Sequence, residues 1–386
     1  MFRFLPQTNW HNGRGWDFQI WRLTSQAHYG GGHFSEIARV IEKLVPNDGE
    51  SWYREWNALG EQLTEMATEA YRRRHSLTAG ERHLRASNYY RLAEFFLKEG
   101  DPRKQAASRA GVGAFVAGIV AAGRPVELVR VPFEKTTLKG YWCKPSAGAA
   151  VNGRSIVFIG GLDSTAEELY FTGYGLLDRG YHMLIIEGPG QGAVLREQKL
   201  PSRHDYEVVG TAAYDWVNSS SSMKKGPVAL IGMSLGGYYS LRIASFEHRY
   251  AALVSWSPIE NYSQFWADRG DDHNLAPHVQ SVLGCNSMRE ARKKMKQFDV
   301  SECVKQIGMP TLLCVAENDG SPLALEQAKS VYAKLTCPKT WHLFTDERGG
   351  ALHCEQDHLT LANEVIGDWL DETLTDWVSA TEQRGR

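Results

Sequence analysis

Two patterns of hydrophobic positions divide the chain. Up to residue 124, apolar side chains recur at three- and four-residue spacing, as at Trp56, Leu59 and Leu63, which is typical of amphipathic helices. Beyond that point, short runs of Val, Ile and Leu alternate with segments of helical period. We therefore predict a helical N-terminal region over residues 1–124 and an α/β region over residues 125–386.

The short apolar runs predict the strands of a single sheet. After an initial hairpin the runs do not alternate with polar positions, which is typical of parallel strands covered on both faces. The predicted strands are Val126–Val131, Thr137–Cys143, Ser155–Ile159, Tyr181–Ile186, Val228–Ile231, Ala252–Trp256, Thr311–Val315 and Thr340–Thr345. We expect a doubly wound, mostly parallel α/β sheet, with functional residues in the loops that follow the strands.

One long segment, at about residues 258–309, interrupts this alternation. It contains helical stretches and aromatic residues but no clear strand, and the sheet does not require it. We predict a helical lid insertion over the strand ends. Tyr262 and Trp266 in this insertion, with Tyr89 and Tyr90 in the N-terminal region, are candidate pocket residues for a flat conjugated substrate. Ordinary core packing of these rings is the alternative interpretation.

Composition and charge narrow the class of protein. The 43 Lys and Arg residues nearly balance the 45 Asp and Glu residues, which gives no electrostatic reason to expect a nucleic acid or an anionic membrane as partner. No apolar run reaches the roughly 18 residues of a transmembrane span, and the N-terminus lacks the apolar core of a secretory signal. The six scattered cysteines fit neither a disulfide framework nor a cysteine-based zinc site. We expect a cytoplasmic protein that acts on a small molecule.

The strongest chemical signal is the motif Gly232-Met-Ser234-Leu-Gly236, placed between a predicted strand and a predicted helix. Such a G-x-S-x-G nucleophile elbow lifts its serine above the sheet, and the glycines leave room for the sharp turn. The backbone N–H of Leu235, at the helix start, points to where an oxyanion would form. A serine that only caps the helix is the alternative. The surrounding sheet favours a nucleophile, so we predict an enzyme.

A nucleophilic serine needs a base and an orienting carboxylate, which follow it in the order acid, then histidine. Asp319 lies in the turn after the strand Thr311–Val315 and is the predicted acid. Glu317, two residues earlier, is a competitor that still belongs to the strand end.

The predicted base is His353, in a glycine-rich loop between the last predicted strand and the final helix. A flexible loop of this kind can present an imidazole to the serine. His342 falls within the strand and His358 within the helix, so both are weaker candidates. His353 and His358 do not form a metal pair, because a spacing of five residues places them far apart around a helix. We therefore predict no metal.

The second oxyanion donor is expected in the loop after the strand Ser155–Ile159. The backbone N–H of Gly161 or of Leu162 is the candidate. We interpret Asp163 as a helix N-cap, and a catalytic role for it is the alternative. The loop Glu187–Gly192 lacks the glycine spacing of a dinucleotide-binding turn, so we expect no nucleotide cofactor.

Together these motifs resemble those of the FrsA-like α/β-hydrolases, a family with members in nicotine breakdown and fungal pigment synthesis. The G-x-S-x-G motif is generic, whereas the tyrosine-pair helix and the Gly-Gly-Ala-Leu-His-Cys loop are more specific. The matching segments are Leu84–Arg91, Gly160–Asp163, Glu187–Gly192, Gly232–Gly237, Asp319 and Gly349–Cys354. The resemblance implies an α/β-hydrolase fold, a helical N-terminal region over the active site, and often a homodimer.

The resemblance also implies a reaction. Members of this family include enzymes that hydrolyse a carbon–carbon bond beside a carbonyl, a retro-Claisen reaction. We expect this reaction on a β-diketone, polyketide or aryl-ketone substrate. A carboxylesterase or lactonase remains an alternative because only the leaving group differs. A binding or regulatory protein that keeps the fold without turnover is the alternative of another class.

Glu260 is the candidate proton donor for the leaving group. A carbon–carbon hydrolase must protonate the carbanion that departs. Glu260 follows the predicted strand Ala252–Trp256 at the start of the insertion, where burial would raise its pKa and keep it able to donate. A solvated loop carboxylate is the alternative.

Overall fold

A computed structural model describes residues 15–219 and 226–384 in two compact units. Residues 15–125 and 273–277 form the first unit, and the other described residues form the second. The first 14 residues lie outside the described residues, so the expectation of no secretory signal stays a prediction. Among the described residues, no helix is long and apolar enough to cross a membrane.

The first unit is helical, as its hydrophobic spacing predicts. Asp48 and Asp101 cap the third and fifth helices through their side chains, and Pro102 occupies the first position of the fifth, where a missing N–H costs nothing. The helices are α1 Trp16–Gln26, α2 Phe34–Ile41, α3 Gly49–Arg72, α4 Ser76–Phe95 and α5 Pro102–Ala121, with a short 3-10 helix at Ala27–Tyr29.

The core of the first unit combines aromatic rings with close helix packing. The ring of Trp52 lies 4.8 Å from that of Trp16 and 5.7 Å from that of Trp56. A Cβ at Gly118 of α5 would lie 2.8 Å from the Leu84 side chain of α4, so only glycine permits this approach. Gly118 of α5 therefore serves helix packing.

The second unit is built on one eight-stranded sheet of order β1-β2-β4-β3-β5-β6-β7-β8. The β1–β2 hairpin and the β2–β4 pair are antiparallel, and the other neighbours are parallel. The strands are β1 Val126–Phe133, β2 Thr136–Cys143, β3 Ser155–Ile159, β4 His182–Ile186, β5 Val228–Met233, β6 Ala252–Trp256, β7 Thr311–Ala316 and β8 Lys339–Phe344. The predicted mostly parallel sheet is confirmed.

Because β3 to β8 are parallel, their carboxyl ends all lie at one edge of the sheet. Helices follow most of the strands. They are α6 Ala166–Thr172, α7 Tyr174–Asp178, α8 Gly192–Arg196, α9 Glu207–Ser219, α10 Leu235–Phe246, α11 Tyr262–Phe265, α12 Ala276–Leu283, α13 Met288–Met295, α14 Pro322–Lys334 and α15 Leu359–Arg384. Two further 3-10 helices are Val304–Gln306 and His353–Glu355.

The segment between β6 and β7 is helical, as predicted for residues 258–309. It holds α11, α12, α13 and a 3-10 helix, and within this fully described segment no strand forms apart from an isolated bridge between Asn261 and Asp299. That this segment acts as a lid stays a prediction.

Candidate active site

The sharp turn between β5 and α10 places Ser234 at φ 63° and ψ −123°, a left-handed conformation that non-glycine residues rarely adopt. The motif glycines make this turn possible. A Cβ at Gly232 would lie 2.0 Å from the Gly236 carbonyl oxygen, and one at Gly236 would lie 2.5 Å from the Ile159 carbonyl oxygen. The serine therefore sits on a strained, tightly packed elbow at the end of β5.

Three strand-end loops bring the predicted catalytic residues together. The Nε2 atom of His353 lies 2.8 Å from Oγ of Ser234, and its Nδ1 atom lies 2.7 Å from Oδ1 of Asp319. Ser234 follows β5, Asp319 follows β7, and His353 follows β8. Both contacts are within hydrogen-bond distance, which is the arrangement a base-activated serine requires.

The competing residues lie elsewhere. Glu317 is exposed, and its Oε2 accepts a hydrogen bond from the backbone N–H of Asp346 at 2.9 Å. His342 lies within β8, and the exposed His358 contacts Thr360 and caps the start of α15. The geometry therefore favours Asp319 and His353 over these alternatives.

The environment of His353 shifts its pKa upward. Burial alone would lower the pKa of this imidazole, but the negative charge of Asp319 and its hydrogen bond more than compensate. The side chain is 23% exposed, so a solvent path to the ring remains. A base of raised pKa binds the serine proton more strongly during attack.

Ser257 contacts the site and was not found by sequence reasoning. It follows β6, is buried, and donates a hydrogen bond from Oγ to Oδ2 of Asp319 at 2.9 Å. The same Oγ accepts the backbone N–H of Cys354 at 3.1 Å. A serine before a proline is an ordinary loop signal, and only the three-dimensional turn reveals this contact.

Two of the three predicted oxyanion donors suit that role. Leu235 begins α10, so its N–H has no partner inside the helix. Among the described residues, no group accepts a hydrogen bond from the N–H of Leu162. The N–H of Gly161, by contrast, donates to Oγ of Ser164 at 2.9 Å. Of the two alternatives for the second donor, the geometry therefore favours Leu162 over Gly161.

Gly161 contributes space instead of a hydrogen bond. A Cβ at this position would lie 2.6 Å from Cβ of Ser234 and 2.9 Å from its Oγ. Any side chain here would collide with the serine. The loop after β3 thus approaches the elbow closely because it carries a glycine at that point.

The N-cap interpretation of Asp163 is also wrong. Thr165 caps α6 in a reciprocal capping box with Glu168. The buried Asp163 carboxylate instead pairs with Nη2 of Arg196 at 2.7 Å, and its other oxygen lies 3.1 Å from Nδ1 of His278. A charged side chain so deeply buried needs such partners, which a helix N-terminus alone does not supply.

Glu260 does not have the environment expected of a proton donor. It is buried, but its Oε1 accepts a hydrogen bond from Nζ of Lys334 at 2.7 Å. This oxygen is therefore engaged with the Lys334 ammonium and is not available to a leaving group. We therefore correct this assignment, because the partner of Glu260 lies at the end of α14 and holds it as an ion pair.

The two tyrosines of α4 belong to the core of the helical unit. Tyr89 donates a hydrogen bond to Oε2 of Glu36 at 2.6 Å, and its ring stacks on Trp56 at 5.8 Å. The hydroxyl of Tyr90 lies 3.3 Å from Oγ1 of Thr64. Since both side chains are buried and engaged within their own unit, their assignment to the substrate pocket is corrected.

The insertion aromatics contact one another. The ring of Tyr262 lies 6.4 Å from that of Trp266 and 6.0 Å from that of Phe298. The Arg269 guanidinium lies over the ring of Trp266 at 5.4 Å. Both predicted pocket residues, Tyr262 and Trp266, are buried in this cluster. The core interpretation therefore replaces the pocket interpretation for both.

Glu355, two residues beyond His353, is a second feature that the sequence did not reveal. Its carboxyl group is fully buried, and Oε2 accepts a hydrogen bond from the indole N–H of Trp256. Among the described residues, Oε1 has no hydrogen-bond partner. Burial, together with the charge of Asp319, raises the pKa of Glu355 well above its usual range.

Within residues 15–219 and 226–384, no group of three or more His, Cys, Asp or Glu side chains is arranged to hold a metal ion. The site described consists of protein side chains and backbone N–H groups at the carboxyl ends of the strands.

The sequence is similar to named fungal hydrolases. It is 36% identical over 403 aligned positions to the 20-hydroxy-prefusarin hydrolase FUS2 of Gibberella moniliformis, covering 93% of this chain and 96% of that protein. It is 37% identical over 276 positions to the hydrolase acrC of Aspergillus aculeatus, covering 66% of this chain. The match spans 63% of the length of acrC. No family model matches the chain.

A solved structure shares the arrangement of elements. The 2,6-dihydroxy-pseudo-oxynicotine hydrolase superposes with a TM-score of 0.78 at 22% identity, over 91% of this chain and 95% of that one. A likeness at this level of identity concerns the fold, and includes both the helical region and the sheet.

Proposed function

The chain belongs to the FrsA-like α/β-hydrolase family and is a hydrolase, and from this premise we propose a serine hydrolase that uses Ser234, His353 and Asp319 as its catalytic triad. The observation that carries the proposal is the continuous hydrogen-bonded series from Oγ of Ser234 through the imidazole to Oδ1 of Asp319. The family also implies the predicted α/β-hydrolase fold, which the superposed structure confirms.

The first chemical step follows from the geometry of the triad. Asp319 accepts the Nδ1–H of His353, which leaves Nε2 free of a proton and facing Ser234. As Oγ attacks a carbonyl carbon, its proton moves to Nε2, a C–O bond forms, and the carbonyl electron pair moves onto oxygen. The N–H groups of Leu235 and Leu162 would stabilise that oxyanion.

The second step transfers the leaving group. Collapse of the oxyanion restores the carbonyl and breaks the bond to the leaving group, which receives the proton now on Nε2 of His353. Water then attacks the acyl-enzyme while His353 again accepts and returns a proton. The products are a carboxylic acid and the protonated leaving group, and the free enzyme is regenerated.

We place the scissile bond between carbon atoms, beside a carbonyl of a β-diketone, polyketide or aryl-ketone substrate. A second carbonyl or an aryl ring can delocalise the leaving carbanion as an enolate, which makes such a bond cleavable by the same triad. The family membership supports this choice, as does the 36% identity to a protein named 20-hydroxy-prefusarin hydrolase.

Ester hydrolysis, by a carboxylesterase or lactonase, is the second candidate function, and one observation favours it. The ion pair between Glu260 and Lys334 removes the side chain that was expected to protonate a carbanion. An alkoxide leaving group needs no dedicated donor, because His353 and water protonate oxygen readily.

A substrate panel tests these alternatives. The wild-type protein is incubated with aryl and acyl 1,3-diketones and with p-nitrophenyl esters, and the products are identified by mass. We expect cleavage of at least one diketone into an acid and a ketone. Turnover of esters alone would support the second candidate.

A fluorophosphonate probe tests the class of protein independently of the substrate. We expect covalent labelling of the wild type at Ser234 and none of the Ser234→Ala variant. A folded wild-type protein that resists the probe would favour a binding or regulatory role.

We also propose a reducing compartment such as the cytoplasm and, from the family, a homodimer. All six cysteines are free thiols, and four of them are buried. Light scattering coupled to gel filtration gives the oligomeric state directly, and a monomeric mass would exclude the dimer.

A further inference from the structure

We propose that Ser257 is a positioning residue that fixes Asp319 and the His353 loop in register through one shared hydroxyl group. This inference deepens the proposed function and rests on it. The juxtaposition behind it is a single buried Oγ that contacts the acid loop and the histidine loop simultaneously.

One oxygen of the Asp319 carboxylate does not face His353. Oδ1 of Asp319 faces His353, so Oδ2 needs a separate partner to hold the carboxylate plane in one orientation. The hydroxyl of Ser257 supplies it at 2.9 Å. A buried carboxylate oxygen without a donor would be costly, and hydrogen bonds to charged groups are the stronger class.

The hydroxyl of Ser257 also holds the loop that carries His353. The same Oγ accepts the backbone N–H of Cys354, the residue that follows His353. Cys354 and Glu355 both have positive φ angles, 55° and 48°, which side chains rarely permit. This loop holds an unfavourable conformation, so an anchor beside the imidazole has a structural purpose.

The backbone of Ser257 is itself held on two sides. Its N–H donates to the Cys314 carbonyl of β7 at 2.9 Å. A Cβ at Gly237 of α10 would lie 2.5 Å from the Ser257 carbonyl oxygen, so the helix that begins at the nucleophile packs directly against it. Between these two contacts the backbone of Ser257 has a positive φ of 57°.

Ser257 therefore links every element of the triad. It follows β6, abuts the helix behind Ser234, donates to Asp319, and anchors the residue after His353. It touches none of the reacting atoms. Its expected effect is on the orientation of the Asp319–His353 pair, and hence on the rate of the chemical step and on the His353 pKa.

The test compares Ser257→Ala with Ser257→Gly. Both remove the hydroxyl, but glycine also relaxes the strained φ angle. We expect both to lower kcat and the rate of fluorophosphonate labelling by roughly tenfold, with KM nearly unchanged, as for loss of one hydrogen bond to a charged group. Ser245→Ala is the matched control, because it removes a buried hydroxyl of α10 that donates to the Leu241 carbonyl of the same helix.

The pH profile separates positioning from general stability. Loosening the Asp319–His353 contact lowers the histidine pKa, so the acid limb of labelling should move to lower pH in both Ser257 variants but not in the control. In an Asp319→Asn background, Ser257→Ala should cost less than a further twofold, because the Asp319–His353 pair that the hydroxyl orients is already lost, even though the contact to the Cys354 N–H remains.

Each outcome decides the matter. Recovery of the rate in Ser257→Gly would assign the effect to backbone strain and overturn the proposal, as would an unmoved or upward-moved acid limb or a full tenfold loss in the Asp319→Asn background. Failure of the wild type to label would overturn the proposed function and this inference with it. A labelled wild type with unimpaired Ser257 variants would overturn the inference alone.

Discussion

The loops at the carboxyl ends of β5, β7 and β8 differ from the insertion between β6 and β7 in how their side chains find partners. In the loops, Ser234, Asp319 and His353 contact one another across three separate segments. In the insertion, Tyr262 and Trp266 pack within their own segment. Strand register fixes the loop residues in space, whereas the aromatic rings of the insertion pack on one another and, through Phe298, on Tyr238 of α10.

This difference determines which residues can form a catalytic site. Parallel strands end at one edge of the sheet, so polar residues placed just after them converge whatever lies between them in the sequence. Aromatic residues of a helical insertion have no such constraint, and burying their surface is favourable wherever they fold.

The largest expected effect is loss of the nucleophile or base. Ser234→Ala and His353→Ala should each lower kcat by about 10⁴-fold or more, because the triad acts as a unit. The double variant should be hardly slower than either single variant, while circular dichroism and melting temperature stay close to the wild type. Clearly additive losses would separate the two residues and contradict the assignment.

Loss of the acid should be nearly as severe and should also change the pH profile. Asp319→Asn is expected to lower kcat by about 10³- to 10⁴-fold, because the histidine loses its orientation and tautomer. Asp319 raises the pKa of His353, and the neutral imidazole is the active form. The acid limb of the residual activity should therefore move to lower pH than in the wild type.

Glu317→Gln is the matched control for this substitution. Its carboxylate is exposed and bonds the backbone of Asp346, away from the imidazole. Rates within twofold of the wild type are expected across the pH range. A larger loss in Glu317→Gln than in Asp319→Asn would exchange the roles of the two acids.

The insertion should respond in stability and leave the kinetics alone. Trp266→Ala removes a buried indole from the cluster with Tyr262 and Arg269, which should lower the free energy of unfolding by about 3 to 5 kcal/mol. Urea unfolding gives the stability and substrate titration gives KM. An altered KM with unchanged stability would return Trp266 to the substrate pocket.

The contrast also explains what the sequence could predict. The strands and the order of Ser234, Asp319 and His353 follow from local patterns, because apolar runs and turn residues act over a few positions. Ser257 and Glu355 depend on contacts across 62 and 99 positions of the chain, to Asp319 and Trp256, and no local pattern encodes these. For Tyr89 and Glu260 the sequence predicted a role that the structure does not support. The burial of Tyr89 and the ion pair of Glu260 cannot be read from residue type.

A smaller effect is expected from the buried carboxyl group beneath the histidine loop. The folded state raises the pKa of Glu355 above that of the unfolded chain, so its neutral form is the one favoured by folding. This contribution is fully present below the unfolded pKa of about 4.3 and is lost as pH rises through the folded pKa. Stability of the wild type should therefore decline towards alkaline pH.

Glu355→Gln, which cannot ionise, tests this dependence. Between pH 5 and pH 8.5, the free energy of unfolding should fall less in the variant than in the wild type. The difference should be about 1.4 kcal/mol for each pH unit that separates pH 5 from the folded pKa of Glu355, counted up to pH 8.5. The amide oxygen can still accept the Trp256 N–H. Parallel declines in both proteins, measured by urea unfolding at the two pH values, would show that Glu355 is ionised in the folded state.

The smallest expected effect concerns Glu260, the residue at which the two regions meet in sequence. Its position directly after β6 resembles that of a catalytic group, but its carboxylate pairs with Lys334. A residue committed to such a pair supplies neither a proton nor a contact to substrate. Glu260→Gln should therefore change diketone cleavage and ester hydrolysis by the same factor, less than about twofold, as for loss of one partly exposed ion pair. Both rates are measured on one preparation, with Lys334→Met as the matched variant on the other side of the pair. A selective loss of diketone cleavage in Glu260→Gln alone would show that the carboxyl group leaves its lysine during turnover, and would restore it as the donor to the departing carbanion.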